Sequence, residues 1–182
     1  MNYEDEIVIS ESKDRKKDRH NYYRLLNEVF GEIERILKPN HYFSLMFNSL
    51  DDETWINLII TMNRLTFDLE KVETLGYSAN SVVQDTRGAG LKTDFILTFR
   101  KNVNHAIKDI QLISAKRNKR YIVKLIAGYQ KNGAGLELYQ ILNVLFSDFL
   151  QQGTFFRLSD VLKIIRTEFK KEGNKWTQRG MS

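Results

Sequence analysis

Residues 93–99 read Thr-Asp-Phe-Ile-Leu-Thr-Phe and follow a polar stretch that carries Gly88 and Gly90. An apolar run so bounded predicts a strand. Immediately upstream, Phe67 to Leu75 predicts another strand. No helix separates the two, which allows them to run antiparallel. Before that pair, Trp55, Leu58, Ile59, Met62 and Leu65 fall on one side of a helix that Asp51 or Asp52 can cap. Tyr42-Phe43-Ser44-Leu45-Met46-Phe47 is compact and apolar and predicts a buried strand. Tyr22, Leu25, Leu26, Val29, Phe30, Ile33 and Leu37 make 19–37 an amphipathic helix. It stops at Lys38-Pro39-Asn40, because the residue before proline is pushed out of helical geometry. Helix, strand, helix, strand, strand argues for an α/β sheet with helical crossovers.

Beyond residue 101 the texture changes. Ile107, Ile110 and Ile113, then Tyr121, Ile122, Leu125 and Ile126, suggest one or two helices. Leu136, Leu138, Ile141, Leu142, Leu145, Phe146 and Phe149 define a strong helix that Gly153 ends. Ser159 or Asp160 caps another, with Val161, Ile164, Ile165 and Phe169, and the tail from Gly173 reads as frayed. Residues 103–171 are therefore expected to be mostly helical, a small bundle or helix-turn-helix-like module. Residues 6–10 are a short apolar run, and 11–19 a charged, solvated loop.

Charge divides the chain at the same place. Residues 1–100 hold 13 Lys+Arg against 17 Asp+Glu, a net of −4, and residues 101–182 hold 15 against 6, a net of +9. The basic half is the better candidate to meet a polyanion. Within it, Lys116, Arg117, Lys119 and Arg120 form the densest basic patch. The absence of cysteine removes disulfides, thiolate nucleophiles and sulfur-ligated zinc, and suits a cytosolic protein. No apolar run approaches the roughly 18 residues of a membrane span, and Glu4, Asp5 and Glu6 make an acidic start unlike a signal peptide. A cytoplasmic location is expected. His20, His41 and His105 lack partners at metal-ligand spacing. Gly88-Ala89-Gly90-Leu91-Lys92-Thr93 fails as a phosphate loop, because Leu91 interrupts Gly-Lys-Thr and no helix follows.

Three stretches together carry a resemblance. Arg35-Ile36-Leu37-Lys38-Pro39, followed by Tyr42, joins a helix to a strand. Phe47-Asn48, Trp55, Leu58 and Phe67 follow, with Thr66 where a glycine is usual. Ser81 to Lys101, ending Asp94-Phe95-Ile96-Leu97-Thr98-Phe99-Arg100-Lys101, closes the set. Together these resemble the C-terminal part of adenine-specific DNA amino-methyltransferases of the large, often zinc-ribbon-containing group, over roughly residues 6–101. The resemblance implies a partial Rossmann-like methyltransferase sheet: its last three strands, with the final pair antiparallel, over residues 1–101. A basic helical extension would occupy 102–182.

The same resemblance implies what the chain lacks. The family's catalytic (D/N/S)-P-P-(Y/F/W) motif needs two adjacent prolines, and Pro39 is the single proline here. The family's F-x-G-x-G loop, which binds S-adenosylmethionine, follows a strand and opens a helix, whereas Gly88-Ala89-Gly90 lies between two strands. A fragment, split subunit or remnant is expected, with no cofactor of its own and inactive alone; S-adenosylmethionine belongs to the intact enzyme. By resemblance, Gln84, Asp85, Thr86, Arg87 and Lys92 would lie beside the target base, and Arg15, Lys16 and Lys17 near flipped-out DNA. Each set also reads as a polar surface loop. The expected partners are DNA, bound weakly and without sequence preference, and the missing N-terminal half. Without that half the chain is expected to self-associate through strand 42–47, unless 6–10 covers its edge. A stand-alone nucleic-acid-binding module and a protein-interaction module remain alternatives.

Overall fold

The computed structural model describes residues 7, 18–49, 51–75, 94–130 and 134–179. Helix α1 (Arg19–Ile36) starts where the Asp18 carboxylate accepts the Asn21 N–H at 2.7 Å. It ends before Pro39, and Asn40 turns the chain at φ 60, a conformation asparagine tolerates. Strand β1 (Tyr42–Phe47), helix α2 (Asp52–Arg64), strand β2 (Phe67–Thr74) and strand β3 (Phe95–Lys101) follow in the expected order. The third strand begins at Phe95 rather than at 93, and Thr93 lies outside the described residues.

The sheet order is β1-β3-β2, with β3 antiparallel to both neighbours. The expected antiparallel pairing of the last two strands is therefore present. Because both outer strands oppose β3, β1 and β2 run parallel to each other, with α2 as their crossover. Pairing brings Phe43 to Phe99, Leu45 to Leu97 and Phe47 to Phe95, so these rings and branched chains share one face. A bulge between Leu69 and Lys71 lets Leu69 and Val72 both face that side despite their odd spacing. On the other face, Tyr42 and Met46 are 58% and 64% exposed, and Arg100 forms ion pairs with Glu70 and Asp68.

Trp55 on α2 joins the sheet to the second half of the chain. Its ring meets Phe47 at 4.7 Å, Phe95 at 5.6 Å and Phe146 at 6.2 Å, edge-on in each case. Its indole N–H donates to the Ser49 carbonyl at 3.0 Å. Phe146 belongs to the later helices, so one hydrophobic core runs across residue 101.

The second half departs in detail from the expected bundle. Helices α3 (Lys119–Tyr129), α4 (Leu138–Gln151) and α5 (Leu158–Glu168) are present. Residues 107–113 do not form a helix. Gln111–Ile113 is instead a strand, β4, parallel to β6 (Thr154–Phe156). Gly153, at φ 67 after α4, turns the chain so that its carbonyl accepts the Gln111 N–H at 2.9 Å. Ile107 is 65% exposed, whereas Ile110 and Ile113 pack against the core from an extended backbone. The tail is also ordered. β7 (Phe169–Glu172) and β8 (Lys175–Gln178) form a hairpin around Gly173-Asn174, and β5 (Leu136–Glu137) pairs with β8 on its other side. Gly173 at φ 60, followed by an asparagine without positive φ, has the sign pattern of a type II′ turn. Gly135 lies so close to β8 that a Cβ there would stand 2.7 Å from Thr177 Oγ1.

Candidate nucleic-acid interface

Two of the sequence-derived sets, Arg15, Lys16 and Lys17, and Gln84, Asp85, Thr86, Arg87 and Lys92, lie outside the described residues. Their flanking residues are described, and these meet at one edge of the sheet. The stretch 76–93 starts at Leu75, whose N–H donates to the Asp94 carbonyl at 2.9 Å, and returns at Asp94. Register places Phe47 and Thr74 opposite Phe95, so both joints sit at the carboxyl ends of β1 and β2. Asn48, one residue past β1, donates to Asp94 Oδ1 at 2.8 Å, while its own Oδ1 is buried with no hydrogen-bond partner among the described residues.

The start of α1 lies at the same end of the sheet. Arg19 Nη1 lies 2.5 Å from Asp51 Oδ2, just before α2. Burial pushes the Asp51 carboxyl up, but the hydrogen bond from Thr54 at 2.8 Å and the Arg19 charge outweigh it. The net effect holds Asp51 below the ordinary carboxylate range. The start of α5 is bound here too: Ser159 donates through its backbone N–H at 2.9 Å, and through its hydroxyl, to Asp52, and Arg157 lies 3.0 Å from Glu53.

The basic patch Lys116, Arg117, Lys119 and Arg120 is solvent-exposed. Ser114 and Asn118 fold the turn that precedes α3: the Asn118 N–H donates to the Ser114 carbonyl at 3.2 Å, and its side-chain amide donates to the same oxygen at 3.0 Å. Ala115, Ile122 and Ile126 fix the orientation by burial, which leaves the cations outward. Lys119 reaches Glu168 at the end of α5, 2.7 Å away. That ion pair ties the patch to the α5–β7 corner, where Lys163, Lys170, Lys171 and Lys175 are also exposed. Sequence reasoning missed these four, because single lysines on an amphipathic helix and in an apparently frayed tail look like ordinary solvated charge. The Gly173-Asn174 hairpin signal could have found the last three.

A cleft of about 300 Å³ opens between the end of α2, β2, residues 102–108 and the end of α4. It holds an Asp68–His105 pair at 2.6 Å, but His105 Nε2 is engaged by the Asn63 carbonyl at 2.9 Å. With both ring nitrogens occupied, His105 fastens this loop and is not positioned to relay a proton to a ligand. His20 and His41 are exposed, and no group of metal-ligating side chains occurs among the described residues. No helix of the described chain is long and apolar enough to cross a membrane. Comparison with known proteins finds no match: no family model, no curated protein and no solved structure aligns with the chain.

Proposed function

We propose that this chain is the C-terminal, DNA-contacting part of a DNA amino-methyltransferase, working with a separate region that binds the donor and carries the catalytic motif. The observation that carries the reading is the strand order β1-β3-β2, in which an antiparallel strand lies between two parallel ones joined by a helix. Within it, the antiparallel pairing of the last two strands is what the sequence resemblance leads one to expect. Two further observations support it. Tyr42 and Met46 leave the outer face of β1 uncovered, as expected of a strand made for an inner position. The segments carrying Arg15 to Lys17 and Gln84 to Arg87 join the fold at the carboxyl edge of the parallel strands, where open α/β sheets take their ligands.

In this reading the chain's own residues bind and orient DNA. None of them handles the methyl donor, so S-adenosylmethionine binds only to the completed assembly. Calorimetric titration of the chain alone with S-adenosylmethionine tests this directly. The expected result is no heat of binding at micromolar donor. Binding in that range would contradict the reading and mean that this chain carries a donor site of its own.

A further inference from the structure

We propose that residues 119–130 and 134–179 form a winged helix-turn-helix that docks on duplex DNA, with α5 in the major groove and the β7–β8 hairpin as the wing. The proposal stands apart from the methyltransferase reading and holds whether or not that reading survives.

Topology is the first support. The order is α3, β5, α4, β6, α5, β7, β8, with β6 paired to β4 and the small sheet arranged β5-β8-β7. The short strand between the first two helices thus pairs with the last strand, and the hairpin is fixed beside the third helix. Helix α3 packs against both α4 and α5. Burial then assigns the faces of α5. Leu158, Val161, Ile164 and Ile165 point into the core, whereas Lys163 and Thr167 lie one turn apart on the solvent side. A helix with side chains is about 10–12 Å wide, which suits a major groove about 12 Å across.

Charge is the second. The Lys163 side chain is 74% exposed and 3.4 Å from Asp160, and Lys170, Lys171 and Lys175 are exposed on the hairpin, where Lys170 pairs with Glu172. The patch at residues 116–120 meets the end of α5 through the Lys119–Glu168 pair. The N-terminal end of α5 is occupied: Asp52 takes the Ser159 N–H and Arg157 meets Glu53. Groove recognition therefore falls to the middle and C-terminal end of the helix, at Lys163 and Thr167, with the wing lysines on flanking phosphates.

Fluorescence anisotropy of the full chain with a labelled mixed-sequence DNA duplex of about two helical turns tests the proposal. Replacing Lys163, Lys170, Lys171 and Lys175 with alanine should weaken duplex binding at least tenfold. The slope of log K against log salt should flatten by about 0.9 for each phosphate that is no longer neutralised. Lys163→Glu alone gives a second reading at an exposed helical position and should cost about fivefold, whereas Lys71→Ala on β2 should cost nothing. Circular dichroism should show the parent melting profile for all of them. An RNA duplex of the same sequence should bind at least tenfold more weakly, because its deep, narrow major groove excludes a helix. Weakening of less than twofold on the fourfold change, equal binding of RNA and DNA duplexes, or single strands bound as tightly as duplex would each overturn the assignment.

Discussion

Removing the side-chain amide of Asn143 should cost this protein a few kcal/mol. Among the described residues strand β2 is an edge of its sheet, so the outward N–H and C=O of Val72 meet no described strand. Asn143 on α4 takes the place of that missing strand. Its Oδ1 accepts the Val72 N–H at 2.6 Å and its Nδ2 donates to the Val72 carbonyl. Val72 is 1% exposed, so water cannot readily replace either bond. Asn143→Ala leaves two main-chain groups unpaired at roughly 1–1.5 kcal/mol each, or about 2–3 kcal/mol together. For a chain of this length that is a melting shift of about 4–12 °C. Asn143→Asp should be no better, because a carboxylate keeps the acceptor but faces the Val72 carbonyl with negative charge. Urea unfolding followed by far-UV circular dichroism measures both, with a single transition expected from the shared core. A destabilisation below about 0.5 kcal/mol for the alanine variant would refute the view that this amide closes the sheet edge.

Gly135→Ala should destabilise by about 1–3 kcal/mol, since the added Cβ would lie 2.7 Å from Thr177 Oγ1 and 3.0 Å from the Trp176 carbonyl; thermal melting reads it. Asp51→Asn should lose roughly 1 kcal/mol at neutral pH. Because the folded carboxyl titrates below its ordinary value, the stabilisation is present above the unfolded carboxylate's pKa and disappears as pH falls through the folded one. The variant and parent should therefore converge in acid, and a gap that widened there would refute the assignment. Self-association through β1, if it occurs, should be abolished by Met46→Lys, which projects from the exposed face. Leu45→Lys, a change that apolarity alone would suggest, should unfold the sheet instead, because Leu45 sits opposite Leu97 on the core side. Sedimentation velocity distinguishes the two, and a parent that remains monomeric would show that this edge, which no described strand covers, is tolerated; residues 8–10 lie outside the described residues.

Trp55, Leu58 and Met62, at helical spacing, announced α2, and the apolar runs at 42–47 and 67–75 announced their strands. Proline and the following asparagine marked where α1 stops. Strand order was not legible, because nothing in the period of Phe95-Ile96-Leu97 says that β3 lies between β1 and β2; that follows from tertiary pairing. β4 escaped notice because three residues in a parallel pair carry no period, and the spacing of Ile107, Ile110 and Ile113 imitates a helix. The β7–β8 hairpin was partly written in Gly173-Asn174, but its strands bury little beyond Phe169, so alternation was faint. The basic patch at 116–120 was legible from charge alone. Its contact with the end of α5 was not, because only folding brings Glu168 against Lys119.

If these strands close a methyltransferase sheet begun elsewhere, as proposed, the polypeptide encoded immediately upstream of Met1 should complete it. Purified together with this chain, that polypeptide should transfer a tritiated methyl group from S-adenosylmethionine to adenine in duplex DNA, while this chain alone transfers none. Its sequence should carry both the F-x-G-x-G loop and an Asp/Asn/Ser-Pro-Pro motif. An upstream product with neither motif, and no label in DNA from the mixture, would contradict the proposal.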